Sequence, residues 1–367
     1  MKCVIIGAGA TAYCDIANPE RRPPLINFED FSRLIDSPVY GVLLSPAGRE
    51  NIAPFFSWAL REFSGDIEEF FTCIFRLRSL RRDISDEKFL QYVRKVYGPS
   101  GILNVAHKMY ECRLPWGLGS TSAWNMLEIF SGALLQELWL CLGTTGKDPV
   151  PISRQPISND HREIVRMLHG GDIVISFNYD WVMPYALLNE NKLSHHSFEN
   201  PYFKRINIPS NRVSDDPIKL VTPHGSFTWF NNIENLNEIL VNYEDIEKRD
   251  LGGFGVQGRI ILPLKCKWEV YRELPAFYQE LGLFLGHLNI CNELYLIGKQ
   301  FNYGDKDLAL MIAKACAARK RSVTYVNPDC RLPEWVEEHN RIFNADTDAV
   351  TLYYDLDSFL KAYENWV

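Results

Sequence analysis

Three short polar clusters, each closing an apolar run, carry the residue types that can do chemistry. The first is Gly7, Ala8, Gly9, Ala10 and Thr11, directly after the run CVII at 3–6. Glycines placed after a buried parallel strand let the backbone turn tightly and approach an anion closely. A helix next in the chain would aim free N–H groups and its positive dipole end at that anion. The third glycine of G-x-G-x-x-G falls on Ala12, so the same residues also describe a plain glycine turn under a core strand. The second cluster is Asn178 with Asp180, after DIVIS at 172–176, and the third is His224, Gly225 and Ser226, after IKLVT at 218–222. A carboxamide orients hydroxyls or a water without adding charge. An imidazole titrating near neutrality can take a proton from either. Asn-Tyr-Asp and His-Gly-Ser also have an ordinary reading as turn chemistry.

These clusters need a frame, and the apolar runs supply one. Counting 3–6, 172–176, 218–222, 293–297, 322–326 and 349–353, six short runs each end in small or polar residues. Parallel strands with their carboxyl ends at one crevice read this way. The spacing predicts an α/β fold, a doubly wound, mostly parallel six-stranded Rossmann-like sheet, with a helix over 306–319. Asp305 and Asp307 stand where they can cap that helix, the alternative being contact with a cofactor. Helical spacing recurs at 27–35, 52–63, 66–80, 86–96 and 122–142, with Ser122 as N-cap of the last. No strand pattern lies between, so 25–159 reads as a helical insertion into a core of 1–24 and 160–367. NPERRPP at 18–24 ends any helix begun at Thr11; Arg21 and Arg22 there suit a solvated loop or a phosphate contact. The segment 185–217 reads as a long surface connection and 232–251 as an acidic excursion. Gly252, Gly253 and Gly255 come next as a flexible stretch before 259–264, and such loops beside a crevice are candidate lids. His195 and His196 are adjacent and cannot share a helix face, which points to an exposed loop rather than a metal site.

Composition narrows the partners. A net charge of −7 argues against strong direct nucleic-acid binding, which needs basic surface. The basic knot Arg76, Arg78, Arg81 and Arg82 reads as a solvated helix face. Nine cysteines lie no closer than eleven positions apart, without a C-x-x-C. No zinc ribbon, no redox pair and no metal are expected, and the scatter suits a reducing cytoplasm. Glycines and early charges interrupt the apolar N-terminus, so it reads as mature sequence. The most apolar later segment, 134–142, is too short to cross a bilayer, so no membrane partner is expected.

Taken in order, GAGAT, FNYD, HGS, IGKQFNYGDKD and VNP resemble the sirtuin-type NAD-binding fold. More narrowly, the chain is similar to the sirtuin-like NAD hydrolases of prokaryotic antiphage defence, which carry a T-T-N-Y-D-like strand end, an H-G-S and a G-y-s-x-x-D-like turn. The resemblance covers roughly 1–20 and 165–360 and does not extend in detail to the helical block. Protein deacylases of the family hold a zinc ribbon on four cysteines and continue the first motif into a G-I-P-D-F-R-like loop. This chain has no candidate quartet and reads NPERRPP there, as suits the hydrolase subgroup, which generally lacks both. Thr11 replaces a usual serine, and Lys299, Gln300 and Phe301 stand where the family has smaller residues.

The resemblance implies NAD as substrate and Asn178 with His224 as the catalytic pair. Asp180 and Ser226 would support them, and Gly225 would let substrate approach. Cofactor contacts fall to Gly7, Ala8, Gly9, Ala10, Thr11, Asn178, Ser226, Gly298 and Asn327, the last at the adenosine ribose. Nicotinamide leaves neutral, so no strong general acid is needed, and the barrier is an oxocarbenium-like centre that a positioned nucleophile must reach. The expected function is a cytoplasmic NAD hydrolase that depletes the cofactor as a defence effector. It would be gated by homo-oligomerisation or by a partner ATPase or helicase, an argonaute or a phage component. A sirtuin-type deacylase or ADP-ribosyltransferase, and a non-catalytic sensor of NAD or ADP-ribose, are the alternatives.

Overall fold

Short runs of Val, Ile and Leu without polar alternation bury both faces of a strand, and strands of that kind belong inside a parallel sheet. The computed structural model describes residues 1–12, 14–16, 54–55, 57–79, 86–112, 157–232, 235, 238–243, 254–262, 264–301 and 305–364. In chain order the strands are β1 (Lys2–Ile6), β2 (Ile173–Ser176), β3 (Phe203–Asn207), β4 (Lys219–Val221) and β5 (Gly225–Asn232). They continue with β6 (Ile239–Asn242), β7 (Phe254–Ile260), β8 (Glu293–Ile297), β9 (Arg321–Val326) and β10 (Ala345–Tyr353). Six form one sheet, ordered β10-β9-β8-β1-β2-β4, and every neighbouring pair in it is parallel. These are the six runs that the sequence predicts. Ranked by chain position, the order read from the β4 edge is 3-2-1-4-5-6, that of dinucleotide-binding sheets. Chain direction through the sheet reverses between β1 and β8, whose register pairs Ile6 with Ile297.

A second sheet is ordered β3-β6-β5-β7, with β3 between β2 and β4 in the chain and the other three strands between β4 and β8. Here β3 runs parallel to β6, and β5 runs antiparallel to both β6 and β7. This corrects the expectation of surface connections at 185–217 and 232–251. The first contains most of a helix, Val182–Asn189, buried over seven of its eight residues, and then β3. The second contains β6, buried at all four positions. Ring packing holds the region together: Phe203 meets Trp229 at 4.9 Å and Phe198 stacks on Tyr243 at 6.0 Å. Gly255 lies within β7. His195 and His196 are exposed, as expected, but in a 3-10 turn closed by a Ser194–Ser197 capping box.

The chain divides into two compact units, one joining 1–23, 138–260 and 267–367, the other joining 24–137 and 261–266. The second unit contains the helices Ile67–Ser79, Asp86–Tyr97 and Gly101–Glu111, with a core that includes Phe55, Phe70 and Phe71. Lys265 of the returning segment pairs with Asp66 at 2.6 Å and Glu69 at 3.1 Å. The sequence expectations for 18–24, 27–35 and 122–142 lie outside the described residues. Among the described residues, no helix is long and apolar enough to cross a membrane.

Candidate active site

Where strand order reverses, two glycine turns interlock. Gly7 N–H donates to Ile297 O, Gly9 N–H to Gly298 O, and Gly298 N–H to Val326 O, at 2.9–3.0 Å. Gly298 sits at φ +61°, and a Cβ there would lie 2.0 Å from Ala10 N. A Cβ on Gly7 would lie 2.5 Å from Lys299 Cα. The glycines are therefore required by backbone against backbone. Ala10 N–H also turns inward, to Gly7 O at 3.0 Å. The N–H groups of Gly7, Gly9 and Ala10 are thus committed to carbonyls, where the sequence suggested an anion cradle.

Above this seam lies a cavity of about 980 Å³. On one side of β1 and β8 it is lined by Phe177, Asn178 and His224, and on the other by Asn327, Tyr354 and Asp355. Ala8, Gly9, Ala10, Gly298 and Lys299 line it between. Of the residues that the sequence places at the site, Gly7, Thr11, Asp180 and Ser226 do not line it.

Asn178 comes just after β2 and is held from beneath. Its Nδ2 donates to Gly7 O at 3.1 Å and to Thr11 Oγ1 at 2.8 Å. A carbonyl can only accept, so the amide nitrogen must face Gly7. Both amide hydrogens are then used, and the atom that Asn178 offers the cavity is its Oδ1, an acceptor. Thr11 hydrogen-bonds to Asp180, and because it already accepts from Asn178 its hydroxyl hydrogen goes to that carboxylate. Asp180 also accepts from Val182 N–H at 2.9 Å. Burial pushes the Asp180 carboxyl up, these two hydrogen bonds pull it down, and the balance is about 6. Thr11 therefore holds Asn178 from behind, with Asp180 behind Thr11, and neither lines the cavity.

His224 is packed edge-on against Phe177, ring centroids 4.9 Å apart. Its Nε2 is buried without a partner among the described residues. The ring's hydrogen bond to the Phe177 backbone therefore belongs to Nδ1, and Nε2 carries the lone pair. Burial, then the Lys267 and Lys299 cations, hold the imidazole well below its ordinary value, against Asp305 and the Phe177 bond. The sequence expectation of an imidazole titrating near neutrality is corrected: His224 is a neutral acceptor. The turn that carries it is propped by Glu280, which accepts from Thr222 N–H at 2.7 Å and from Asn200 Nδ2 at 3.0 Å. Gly225 completes the turn at φ +81°, donating to Thr222 O.

Ser226 turns away, its hydroxyl paired with that of Thr228 at 2.9 Å. Asn327 caps the 3-10 turn Pro328–Arg331 by accepting from Asp329 N–H. Asp305 occupies the N-cap position of the helix Lys306–Cys316 but makes no side-chain cap bond. Its carboxylate is bridged instead by Lys267 Nζ at 2.6 Å and Lys299 Nζ at 2.9 Å. Burial raises that carboxyl, and the two lysines reverse the effect and hold it well below the usual range. Sequence reasoning missed Lys267 and Glu280, neither of which stands in a motif. Among the described residues, no group of three or more His, Cys, Asp or Glu side chains could hold a metal ion.

No family model and no curated protein matches the chain. Among solved structures it is similar to one described as "Structural Basis for the Mechanism and Regulation of Sir2 Enzymes". The two are 14% identical over 64% of this chain and 78% of that chain, with a TM-score of 0.32. At that identity and TM-score, a functional reading rests on the sheet order and the side-chain geometry of this chain itself.

Proposed function

We propose that the protein is an NAD hydrolase that cuts the nicotinamide–ribose bond to give nicotinamide and ADP-ribose. The observation that supports this best is the pairing of two uncharged acceptors, Asn178 Oδ1 and His224 Nε2, at one cavity over the reversal point of a 3-2-1-4-5-6 sheet. Such a pair suits this bond. Nicotinamide departs without needing a proton, while the ribose carbon passes through a cationic centre that water must reach from the open face. Asn178 Oδ1 would accept from a ribose hydroxyl and His224 Nε2 from the attacking water, raising the electron density on its oxygen. Asp180, ionised behind Thr11, would favour the developing cation through space. Nothing in that sequence of steps calls for a metal.

Constant turnover would empty a cell of its cofactor. The proposal therefore includes gating, by self-assembly or by a partner, and a role in antiphage defence that rests on the motif resemblance. Incubation of purified protein with NAD, followed by chromatography for nicotinamide, tests the hydrolase. Release that is lost in Asn178→Ala and His224→Ala supports it. Absence of product in every assembly state, with ADP-ribose still bound, would instead make the protein a sensor.

A further inference from the structure

Three amides of the glycine turn, those of Gly7, Gly9 and Ala10, are already spent here on Ile297 O, Gly298 O and Gly7 O. The helix at this turn, Ala8–Ala12, is only five residues long. A dinucleotide nevertheless brings a diphosphate, and four aspartates line the cavity: Asp160, Asp329, Asp355 and Asp357. Lys299 is the one cationic side chain among the described lining residues. It leaves the backbone beside the glycine turn, since its Cα is what a Cβ on Gly7 would strike. Its ammonium lies 4.8 Å from the Phe301 ring centroid and 5.2 Å from that of Phe177, faces that favour a cation. Phe301 is itself fixed, its N–H donating to His339 Nε2 at 3.4 Å. Asp305 is one carboxylate shared by two ammonium groups, Lys267 at 2.6 Å and Lys299 at 2.9 Å, so the trio keeps one positive charge in excess, and Lys299 is its member on the cavity wall. His224, whose buried Nε2 has no partner among the described residues, lines the same cavity.

We propose that Lys299 is the anion-holding group of this cavity, pairing its ammonium with the diphosphate of a dinucleotide laid across the β1/β8 seam in place of the turn amides. The assignment rests on the dinucleotide part of the proposed function and not on hydrolysis.

Calorimetric titration of ADP-ribose and of adenosine into the full chain tests it, using wild type, Lys299→Met and Lys299→Arg. A charged hydrogen bond of this kind predicts that Lys299→Met weakens ADP-ribose binding about tenfold or more, with adenosine unchanged. Lys299→Arg should retain most of the affinity. Wild-type affinity for ADP-ribose, and not for adenosine, should fall as salt is raised. Salt-independent ADP-ribose binding overturns the proposal whether or not Lys299→Met folds. So does a folded Lys299→Met that binds like wild type, or a wild type that binds no ADP-ribose. Lys299-dependent binding without NAD turnover keeps the anion site and retires the hydrolase. Turnover with unchanged KM in Lys299→Met does the reverse.

Discussion

Thr11 Oγ1 stands 2.8 Å from Asn178 Nδ2 and passes its own hydrogen to buried Asp180. This hydroxyl and the Gly7 carbonyl together fix which end of the Asn178 carboxamide meets the cavity. Thr11→Val keeps the shape and removes that hydroxyl. Steady-state kinetics should show kcat down by about tenfold to a hundredfold with KM nearly unchanged, and denaturation a stability cost of about 1–3 kcal/mol for the stranded groups. Thr11→Ser should restore both. Unchanged kcat in Thr11→Val would remove Thr11 from the positioning chain.

Asp180 sets an acid limb. Its carboxyl is pushed up to about 6 by burial, so the charge that the proposed reaction would use to favour a ribosyl cation is lost below that pH. Turnover should rise with pH through about 6 and then stay level, because His224 is already neutral there. In Asp180→Asn the limb should vanish and the plateau should drop. A limb that survives the substitution would have to come from another group.

Glu280 makes stability depend on pH in the opposite sense from a salt-bridged carboxylate. Burial raises it to about 7, against the pull of Thr222 N–H and Asn200. A carboxyl raised above its unfolded value contributes stability that is full below the unfolded pKa and lost as pH climbs through the folded one. Unfolding free energy should therefore fall between about pH 5 and pH 8, by up to about 3 kcal/mol from this group. Glu280→Gln should flatten the slope, as read by urea unfolding across that range.

Gly298→Ala would drive a methyl onto Ala10 N at a left-handed φ of +61°. Chemical denaturation should show a loss of about 3 kcal/mol or more, or no soluble protein. Gly65, at φ +85° with open space around its Cβ position, is the control. Gly65→Ala should cost only about 1 kcal/mol, for the backbone alone. Equal costs would mean that the interlocked turns are not tight.

The six strands of the main sheet were legible because runs such as CVII and ELYLI are apolar without alternation and stop at small residues. The sequence of 3–6 also says that a glycine turn comes next, but not that its N–H groups are consumed, since Ile297 and Gly298 lie far along the chain. The second sheet was hidden for a different reason. ILVN at 239–242 is short and set among Asn and Glu, and FKRIN at 203–207 is only half-buried, so neither run stands out by period. Asn178 and His224 were found by residue type at strand ends. Lys299 was visible only as an oversized residue, because its charge acquires meaning through Asp305, Phe177 and Phe301, which only the fold assembles.

The claim on which the rest depends is that Asn178 and His224 act together on one dinucleotide. A double-mutant cycle in NAD turnover measures this directly, comparing wild type, Asn178→Ala, His224→Ala and the double variant. Each single change should lower kcat/KM about a hundredfold or more, and the double should be little worse than either. Losses that simply multiply, or turnover untouched by either change, would contradict a shared site.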